Sequence, residues 1–264
     1  MERLDEAYLK MALGELPLSV YLYSEIDSTN SQAKRHAMDG GTAPAVFLAE
    51  SQSGGRGRMG RSFYSPAYTG IYLSLLFQIL PNASDTVLLT TAASVAVLRA
   101  IRSVTGIEAG IKWVNDLYVE GRKVCGILAE SFFCGEERYG ILGVGINLDT
   151  AEFPEALRET AGSLNPQKKG LRNALAAEVI QELYGLVKEG AVCDFIEEYR
   201  AHSMVLGQAV VYTQNQETKC GVAEAIDERG RLLVRHEDGT AALLASGEIS
   251  LRLEKQQEDK GDRV

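Results

Sequence analysis

The segment between residues 53 and 61 combines glycines and arginines in a way that suits anion binding. Its sequence, Ser-Gly-Gly-Arg-Gly-Arg-Met-Gly-Arg, contains four glycines and three arginines. Guanidinium groups pair bidentately with phosphate or carboxylate, and glycines let backbone N–H groups approach the same anion. The pattern therefore predicts a loop that a bound anion orders. A solvated basic loop and an RGG-like nucleic-acid tail are the alternatives, and the GxxxxGK[ST] pattern of a Walker loop does not occur in it.

A second segment places two lysines and an aspartate where they could meet the same anion. Residues 112–116 read Lys-Trp-Val-Asn-Asp, and residues 122–128 read Arg-Lys-Val-Cys-Gly-Ile-Leu. We predict that both lie on adjoining strands of one hairpin, so that Lys112 and Lys123 approach the site of Asp116. A lysine beside apolar strand residues is costly unless an anion meets it. The alternative is a plain surface salt bridge between Asp116 and Lys123. A third segment, Gly-Val-Gly-Ile-Asn at 143–147, is a strand that ends in a polar residue and could equally be followed by a simple turn.

The elements that must position these segments predict an α+β domain followed by a small β-domain. Helices are predicted over 1–16, from the capping residues 27–30 to about 38, from Ser84 or Asp85 to Gly106, and over 171–188 and 193–202. Strands are predicted over 20–24, 45–50 and 70–80, with three or four more between 111 and 149 and turns at 120–121 and 135–136. Short, close-set strands follow over 208–213, 220–226, 231–236, 241–245 and near 249–253. The predicted domains are residues 1–205 and 206–254, with a charged tail at 255–264.

Composition excludes several classes of protein. The net charge of −9 argues against a nucleic-acid surface spread over the molecule. Nothing before Val20 is long enough for a helix-turn-helix, so DNA binding is not expected. The four cysteines (Cys125, Cys134, Cys193 and Cys220) show no CxxC spacing, which argues against zinc and redox motifs and fits a reducing cytoplasm. No leader peptide is evident, and the apolar runs fall short of the roughly 20 residues that span a bilayer. We therefore expect a soluble cytoplasmic protein with no membrane partner.

Taken together and in order, these segments resemble the biotin–protein ligase family. The resemblance rests on Asp-Ser-Thr-Asn at 27–30, on Gln52, on Gly-Arg-Gly-Arg-Met-Gly-Arg at 55–61, and on the segments 112–116, 122–128 and 143–147. It spans most of the first domain, and GRGRxGR is its most specific element. It implies a mixed β-sheet catalytic domain flanked by helices, similar to class II synthetases, followed by an SH3-like β-barrel. It also implies the monofunctional type without a DNA-binding domain. One departure is Val114, where the family usually has proline. A valine suits a strand and loses only a rigid turn, so we expect little effect.

The resemblance also implies roles for individual residues. Polar side chains would face the ureido ring of biotin, whose donors and acceptors match hydroxyl and amide groups. The biotin-binding set it implies is Ser28, Thr29, Asn30, Gln52, Arg56, Gly57, Arg58, Lys123 and Gly126. The nucleotide-binding set is Arg58, Arg61, Phe63, Lys112, Asn115 and Asn147, and no residue is assigned to a metal. Two alternatives stay open from the residues themselves: Ser28 and Thr29 could only cap a helix, and Phe63 could only fill the core.

The reaction implied by the resemblance has two steps. The biotin carboxylate attacks the α-phosphate of ATP, with Mg²⁺ assisting, and a lysine of a biotin carboxyl carrier domain then takes the biotinyl group. Arg58 and Lys123 would stabilise the charge of the transition state, and Asp116 would accept the proton of the acceptor amine or orient that amine. The exposed strands of the sheet could pair two subunits. The rival interpretations are a lipoate–protein ligase, for which the sequence shows no lipoate motif, and a non-catalytic nucleic-acid binder.

Overall fold

The computed structural model describes residues 2–79, 86–189, 195–214, 217–245 and 249–251. Its helices are α1 (Glu6–Leu13), α2 (Thr29–Met38), α3 (Thr86–Thr105), α4 (Arg172–Glu189) and α5 (Phe195–Ala201). The strands of the first domain are β1 (Ser19–Ile26), β2 (Ala45–Gln52), β3 (Gly70–Gln78), β4 (Gly110–Lys112), β5 (Asp116–Val119), β6 (Arg122–Cys134) and β7 (Glu137–Asn147). The later strands are β8 (Ala209–Gln214), β9 (Glu217–Ile226), β10 (Leu232–Arg235), β11 (Ala241–Leu244) and β12 (Ile249–Leu251).

The first seven strands form one mixed sheet in the order β1-β2-β3-β7-β6-β5-β4. Only β1 and β2 pair in parallel among them, and every other neighbouring pair is antiparallel. The turns at Glu120–Gly121 and Gly135 lie where the sequence predicts them. These residues adopt the positive φ angles that tight hairpins require. The predicted α+β class is thus confirmed.

Both faces of the sheet are covered. Along β2, Val46 and Leu48 join the large core cluster that α3 and α4 complete. Their neighbours Ala45 and Phe47 face the opposite way, into a smaller cluster under α2. Strand residues that alternate between two buried faces give a nearly continuous apolar run, which is the pattern that predicted β3 as well.

The helix α3 is apolar over an unusual length. Its stretch Val87–Thr105 has the length and hydropathy of a membrane span, and 61% of that stretch is buried inside the protein. Its 19 residues stay just short of the roughly 20 that a bilayer span typically requires. Ala93, Val97 and Ile101 lie in the main core cluster, which accounts for the apolar sequence. The predicted cap of this helix at Ser84 or Asp85 lies outside the described residues.

Residues 113–115 form a turn between β4 and β5 instead of continuing a strand. The predicted single hairpin is therefore two hairpins, in which Lys112 pairs with Asp116 across the first turn. Val114 is 3% exposed in this turn, and its carbonyl accepts a hydrogen bond from Tyr199 Oη at 3.1 Å. The expectation that Val114 suits a strand was wrong, because the chain reverses here and its apolar side chains turn into the core.

The second unit is a five-stranded antiparallel sheet in the order β11-β10-β9-β8-β12. It contacts the first domain at the turn 227–230, where Trp113 Nε1 donates to the carbonyl of Gly230 at 2.9 Å. Arg200 of α5 also donates to the carbonyl of Ile226 at 2.7 Å. The small β-domain is where the sequence predicts it, while the boundary near residue 205 stays a prediction. The predicted charged tail and Cys193 lie outside the described residues.

Candidate active site

A pocket of about 430 Å³ opens between α2, the loop after β2 and the strands β4 to β7. It gathers every residue that the sequence assigned to biotin, to the nucleotide or to catalysis. These residues are Ser28, Thr29, Asn30, Gln52, Arg56, Gly57, Arg58, Arg61, Phe63, Lys112, Asn115, Asp116, Lys123, Gly126 and Asn147. Segments distant in sequence therefore meet in one place, while the role of each residue stays a prediction.

The lining of the pocket is strongly cationic. Five of its described residues are basic, and Asp116 is the single acidic one among them. This contrasts with the net charge of −9 of the whole chain. A concave, partly dry site with one sign of charge concentrates ligands of the opposite sign. The arrangement therefore suits carboxylate and phosphate groups.

The loop that carries the arginines is closed at its base. Phe63 N donates to the carbonyl of Gly55 at 2.9 Å, and Gly57 N donates to the carbonyl of Arg61 at 2.7 Å. A Cβ atom on Gly55 would lie 2.4 Å from the Phe63 carbonyl oxygen, so only glycine fits there. Met59 at the tip has a φ of 56° and is 74% exposed. The loop is thus a narrow hairpin whose arginines reach the pocket.

Hydroxyl and amide groups form the floor beneath α2. Gln52 Oε1 accepts hydrogen bonds from the backbone N of Thr29 at 2.8 Å and from its Oγ1 at 3.1 Å. Gln52 Nε2 donates to Ser65 Oγ at 2.8 Å. Ser28 is the N-cap of α2, and its Oγ lies 3.5 Å from the backbone N of Ser31. The capping role considered for Ser28 is therefore real, whereas Thr29 bonds to Gln52.

Asn30 lies deeper, between two strands. Its Oδ1 accepts from Ser74 Oγ at 2.6 Å, and its Nδ2 donates to Glu130 Oε2 at 2.8 Å. Glu130 Oε1 is also 2.9 Å from Arg56 Nη2. A Cβ on Gly143 would lie 2.0 Å from Asn30 Oδ1, so this glycine makes the space that the amide occupies.

At the cationic end, Lys123 Nζ lies 2.7 Å from Asp116 Oδ1. The salt bridge considered for these residues exists, but it lines the pocket and both side chains are mostly buried. Arg58 Nη1 donates to Asn115 Oδ1 at 3.0 Å, and Asn115 in turn donates to the carbonyl of Ile127 at 2.8 Å. Lys112 Nζ lies 5.4 Å from the centre of the Tyr118 ring.

Phe63 covers a bare patch of the sheet. Gly126 and Gly145 are register partners on β6 and β7, and Cβ atoms on them would lie 3.5 Å and 2.5 Å from the Phe63 ring. Gly126 therefore makes room for Phe63 and for Lys123 Nζ, which a Cβ would approach to 3.1 Å. Phe63 lines the pocket as well, so its ring has one face on the sheet and remains near the cavity.

Asn147 contributes a buried polar atom without a partner. It is 4% exposed, and its Nδ2 donates to the carbonyl of Gly162 at 2.9 Å. Its Oδ1 has no hydrogen bond among the described residues. Because an unpaired buried acceptor is costly, an oxygen of this kind beside a pocket is suited to a ligand donor or a cation.

Two groups near the pocket are held neutral by burial. Burial raises the pKa of the Cys125 thiol on β6, next to Lys123 in space, so this thiol is not a nucleophile at neutral pH. Burial likewise raises the pKa of Tyr199, whose hydroxyl bonds to Val114. The described residues contain no group of three or more His, Cys, Asp or Glu side chains that could hold a metal ion.

Several residues that line the pocket or hydrogen-bond to its lining were missed in the sequence. Glu130 and Ser74 belong to no motif, although Glu130 follows Gly126 and Leu128 at the two-residue spacing of a strand face. Tyr64 and Phe153, whose ring centres are 6.2 Å apart, join the lining from loops. Loop residues carry no periodicity, so no sequence pattern indicated Phe153.

Comparison with known proteins supports one class. A model of the biotin/lipoate A/B protein ligase family matches residues 22–147, and a model of the biotin protein ligase C-terminal domain matches residues 205–252. The biotin–[acetyl-CoA-carboxylase] ligase of Mycobacterium tuberculosis is 31% identical over 239 residues, which are 87% of this chain and 88% of that protein. The bifunctional ligase/repressor BirA of Bacillus spizizenii is 30% identical over 252 residues, 90% of this chain and 76% of that protein.

A solved structure agrees with these relatives. The biotin protein ligase from Aquifex aeolicus in complex with biotin and ATP has a TM-score of 0.72 and 27% identity, and the match covers 89% of this chain and 98% of that one. The fold and the pocket thus define a ligase of the biotin/lipoate protein ligase class. Within that class, the chain belongs to the biotin protein ligase family. It is an ATP-dependent enzyme that adenylates biotin and transfers it to a carrier protein.

Proposed function

We propose that the pocket holds biotin and ATP with their reacting groups between the arginine loop and Lys123. The observation that carries this proposal is the convergence of the polar floor and the cationic end in one cavity. The ureido ring lies against Ser28, Thr29, Asn30 and Gln52, whose remaining donors and acceptors match its own. The carboxylate tail points toward Arg56 and Arg58, with Gly57 leaving space between them.

The nucleotide lies at the other end. Arg61 and Lys112 attract the phosphates, while Asn115 and Asn147 offer amide groups to the nucleotide. Phe63 presents a ring on which adenine can stack, supported from below by Gly126 and Gly145. The unpaired Oδ1 of Asn147 favours this placement, because a ligand donor would satisfy it.

The first step is attack of the biotin carboxylate on the α-phosphate, which forms biotinyl-5′-AMP and releases pyrophosphate. Negative charge grows on the phosphoryl oxygens, so Arg58 and Lys123 stabilise the transition state more than the ground state. Asn115 fixes the Arg58 guanidinium through its 3.0 Å hydrogen bond, and Asp116 fixes the Lys123 ammonium. Preorganised cations need no rearrangement while the charge develops.

Mg²⁺ is part of this proposal, since it neutralises pyrophosphate charge when it is bound with the nucleotide. Magnesium in ATP sites is commonly held by one or two carboxylates together with the phosphates. The pocket fits that requirement through Asp116, the acidic residue of its described lining. This carboxylate, together with the phosphates, would hold the ion.

In the second step an acceptor lysine of a biotin carboxyl carrier protein attacks the acyl carbon, and AMP leaves. That amine must lose a proton, and Asp116 is the group that accepts it or orients the amine. We also propose that the enzyme works in the cytoplasm, without DNA or membrane partners. The homodimer that we propose pairs two copies through the edge strand β1 of the large sheet, since the backbone of β4 is already bonded to residues 202–204.

The test is to mix the protein with Mg²⁺, α-³²P-labelled ATP and either biotin or lipoate, and to separate the products by thin-layer chromatography. We expect labelled adenylate with biotin only. Replacing Arg58 or Lys123 by glutamine should slow adenylation by a factor on the order of 10²–10³. Lys169→Gln is the matched control, since Lys169 forms an exposed pair with Asp149. Adenylate with lipoate instead would favour the lipoate ligase alternative, and none with either acid would refute the proposal.

A further inference from the structure

Glu130 connects two parts of the pocket through one carboxylate. Its Oε2 accepts from Asn30 Nδ2 at 2.8 Å, and its Oε1 is 2.9 Å from Arg56 Nη2. Asn30 belongs to α2, Arg56 to the arginine loop and Glu130 to β6. Each carboxylate oxygen is thus used by a different element of the pocket.

From Asn30 a series of side-chain hydrogen bonds continues to Ser65, on the C-terminal side of the arginine loop. Ser74 Oγ lies 2.6 Å from Asn30 Oδ1 and 2.8 Å from Thr29 Oγ1, and Thr29 bonds to Gln52. Gln52 reaches Ser65, which follows the loop in sequence. This chain of polar side chains therefore begins on Arg56 and ends just beyond the loop. Ser74 is fully buried and Asn30 is 4% exposed, so neither can turn to water instead.

We propose that Glu130 is a positioning residue for biotin binding, acting through Asn30 and Arg56. This inference rests on the proposed function. Glu130 accepts a hydrogen bond from the Asn30 amide nitrogen, and Ser74 donates one to the amide oxygen. The Asn30 amide is therefore held in one orientation. A rotated amide would exchange donor and acceptor toward the ureido ring. Glu130 also holds the Arg56 guanidinium at the pocket, where a ligand carboxylate can meet it.

An exposed ion pair alone would not have this effect. The Arg56 and Glu130 side chains are 45% and 28% exposed, and ion pairs at such sites add little stability. The distinguishing feature is the second oxygen, which serves a buried amide. The loss of Glu130 is therefore expected to change ligand recognition more than the stability of the fold.

The test uses Glu130→Gln, Arg56→Ala and the double variant in the full chain. In Glu130→Gln one amide oxygen can still accept from Asn30, but the amide nitrogen then faces the Arg56 donors. We expect the KM for biotin to rise about tenfold, with kcat within about threefold of wild type. If Glu130 acts largely through Arg56, the effect of Glu130→Gln should mostly disappear when Arg56 is already alanine.

Ser74→Ala tests the same amide from its other side and should also raise the KM for biotin. Glu224→Gln is the control, because it removes an exposed pair with Arg235 in the C-terminal sheet. The melting shift caused by biotin alone gives a readout without turnover, and it should shrink in Glu130→Gln. An unchanged KM, or full additivity with Arg56→Ala, would overturn the inference. Wild-type protein without biotin-dependent adenylate would instead refute the proposed function.

Discussion

Single glycines define much of the pocket, because side chains from other elements occupy the space that a Cβ would need. Asn30 fills the space beside Gly143, and the Phe63 ring fills the space beside Gly145. The family resemblance implied only that Gly126 belongs to the biotin-binding set. In the structure, the side chains nearest to a Cβ on Gly126 are Phe63, from the loop after β2, and Lys123, from the same strand β6.

Gly145→Ala is therefore expected to displace the Phe63 ring. The new Cβ would lie 2.5 Å from Phe63 Cε1, so the ring must move toward the cavity. A misplaced stacking surface should slow adenylation by a factor on the order of 10–10² and raise the KM for ATP. Steady-state kinetics at varied ATP measure this effect. Gly185→Ala is the control, since nothing lies within 4 Å of a Cβ at that position in α4. Equal kinetics for both variants would refute the role of the ring.

Asp27 gives a pH-dependent prediction beside the biotin-binding residues. Its hydrogen bonds with the Arg35 guanidinium lower the pKa of its carboxyl to about 2, well below the value of an unfolded chain, about 3.9. A depressed folded pKa adds stability above the unfolded pKa, and that contribution is lost as the pH falls toward 2. Asp27→Asn should therefore lower Tm at pH 6, and the difference from wild type should shrink between about pH 4 and 2. Thermal unfolding followed by circular dichroism measures it, and a difference independent of pH would contradict the assignment.

At the scale of elements, periodicity predicted nearly every helix and strand. The apolar run of β3 was sufficient to predict this strand, because a strand buried on both faces is restricted to apolar residues. The turns on either side of β6 were predicted from their glycines, because a positive φ angle favours glycine. Val114 shows where this reasoning ends. In sequence, an apolar residue in a buried turn cannot be told from an apolar residue in a strand. The turn at Val114 is recognisable only in the structure, where its carbonyl bonds to Tyr199 in the core. Glu130 shows the other limit, since its partners are far away in sequence.

Another cluster that the sequence does not reveal joins α4 to the start of the chain. Arg172 is 2% exposed and forms an ion pair with the buried Glu50 of β2, and it also donates to the carbonyl of Glu2 at 3.0 Å. Its Nε donates to the carbonyl of Gly70 at 2.7 Å. One guanidinium thus holds a helix, two strands and the N-terminal segment together.

Arg172→Ala should lower the free energy of unfolding by about 3–5 kcal/mol, because it leaves the Glu50 carboxylate buried without its partner. Urea denaturation followed by circular dichroism gives this value. Lys169→Ala is the control: it also removes the basic partner of an ion pair, but at an exposed site, and should change stability by about 0–1 kcal/mol. If the two variants have similar stability, Arg172 does not hold these elements together.

At the scale of the whole molecule, the C-terminal sheet rests on the turn that carries the pocket. Trp113 lines the pocket and also donates to the carbonyl of Gly230, in the turn between β9 and β10. A Cβ on Gly230 would lie 2.8 Å from Thr91, so the turn fits closely against α3 as well. Asn115, which holds Arg58, is two residues from Trp113. Contact with the second unit therefore reaches the catalytic end of the pocket through one short turn.

Trp113→Phe tests this connection, because it keeps an aromatic ring and removes the indole N–H. The Gly230 carbonyl is then left without its donor, and the free energy of unfolding should fall by about 1–3 kcal/mol. Since the turn also places Asn115 and Arg58, adenylation should slow even at saturating biotin and ATP. Circular dichroism in urea and the adenylate assay measure the two effects. Arg235→Gln removes an exposed ion pair within the C-terminal sheet and should change neither. A variant that is less stable but fully active would mean that the sheet supports the fold and that its contact does not reach the chemistry.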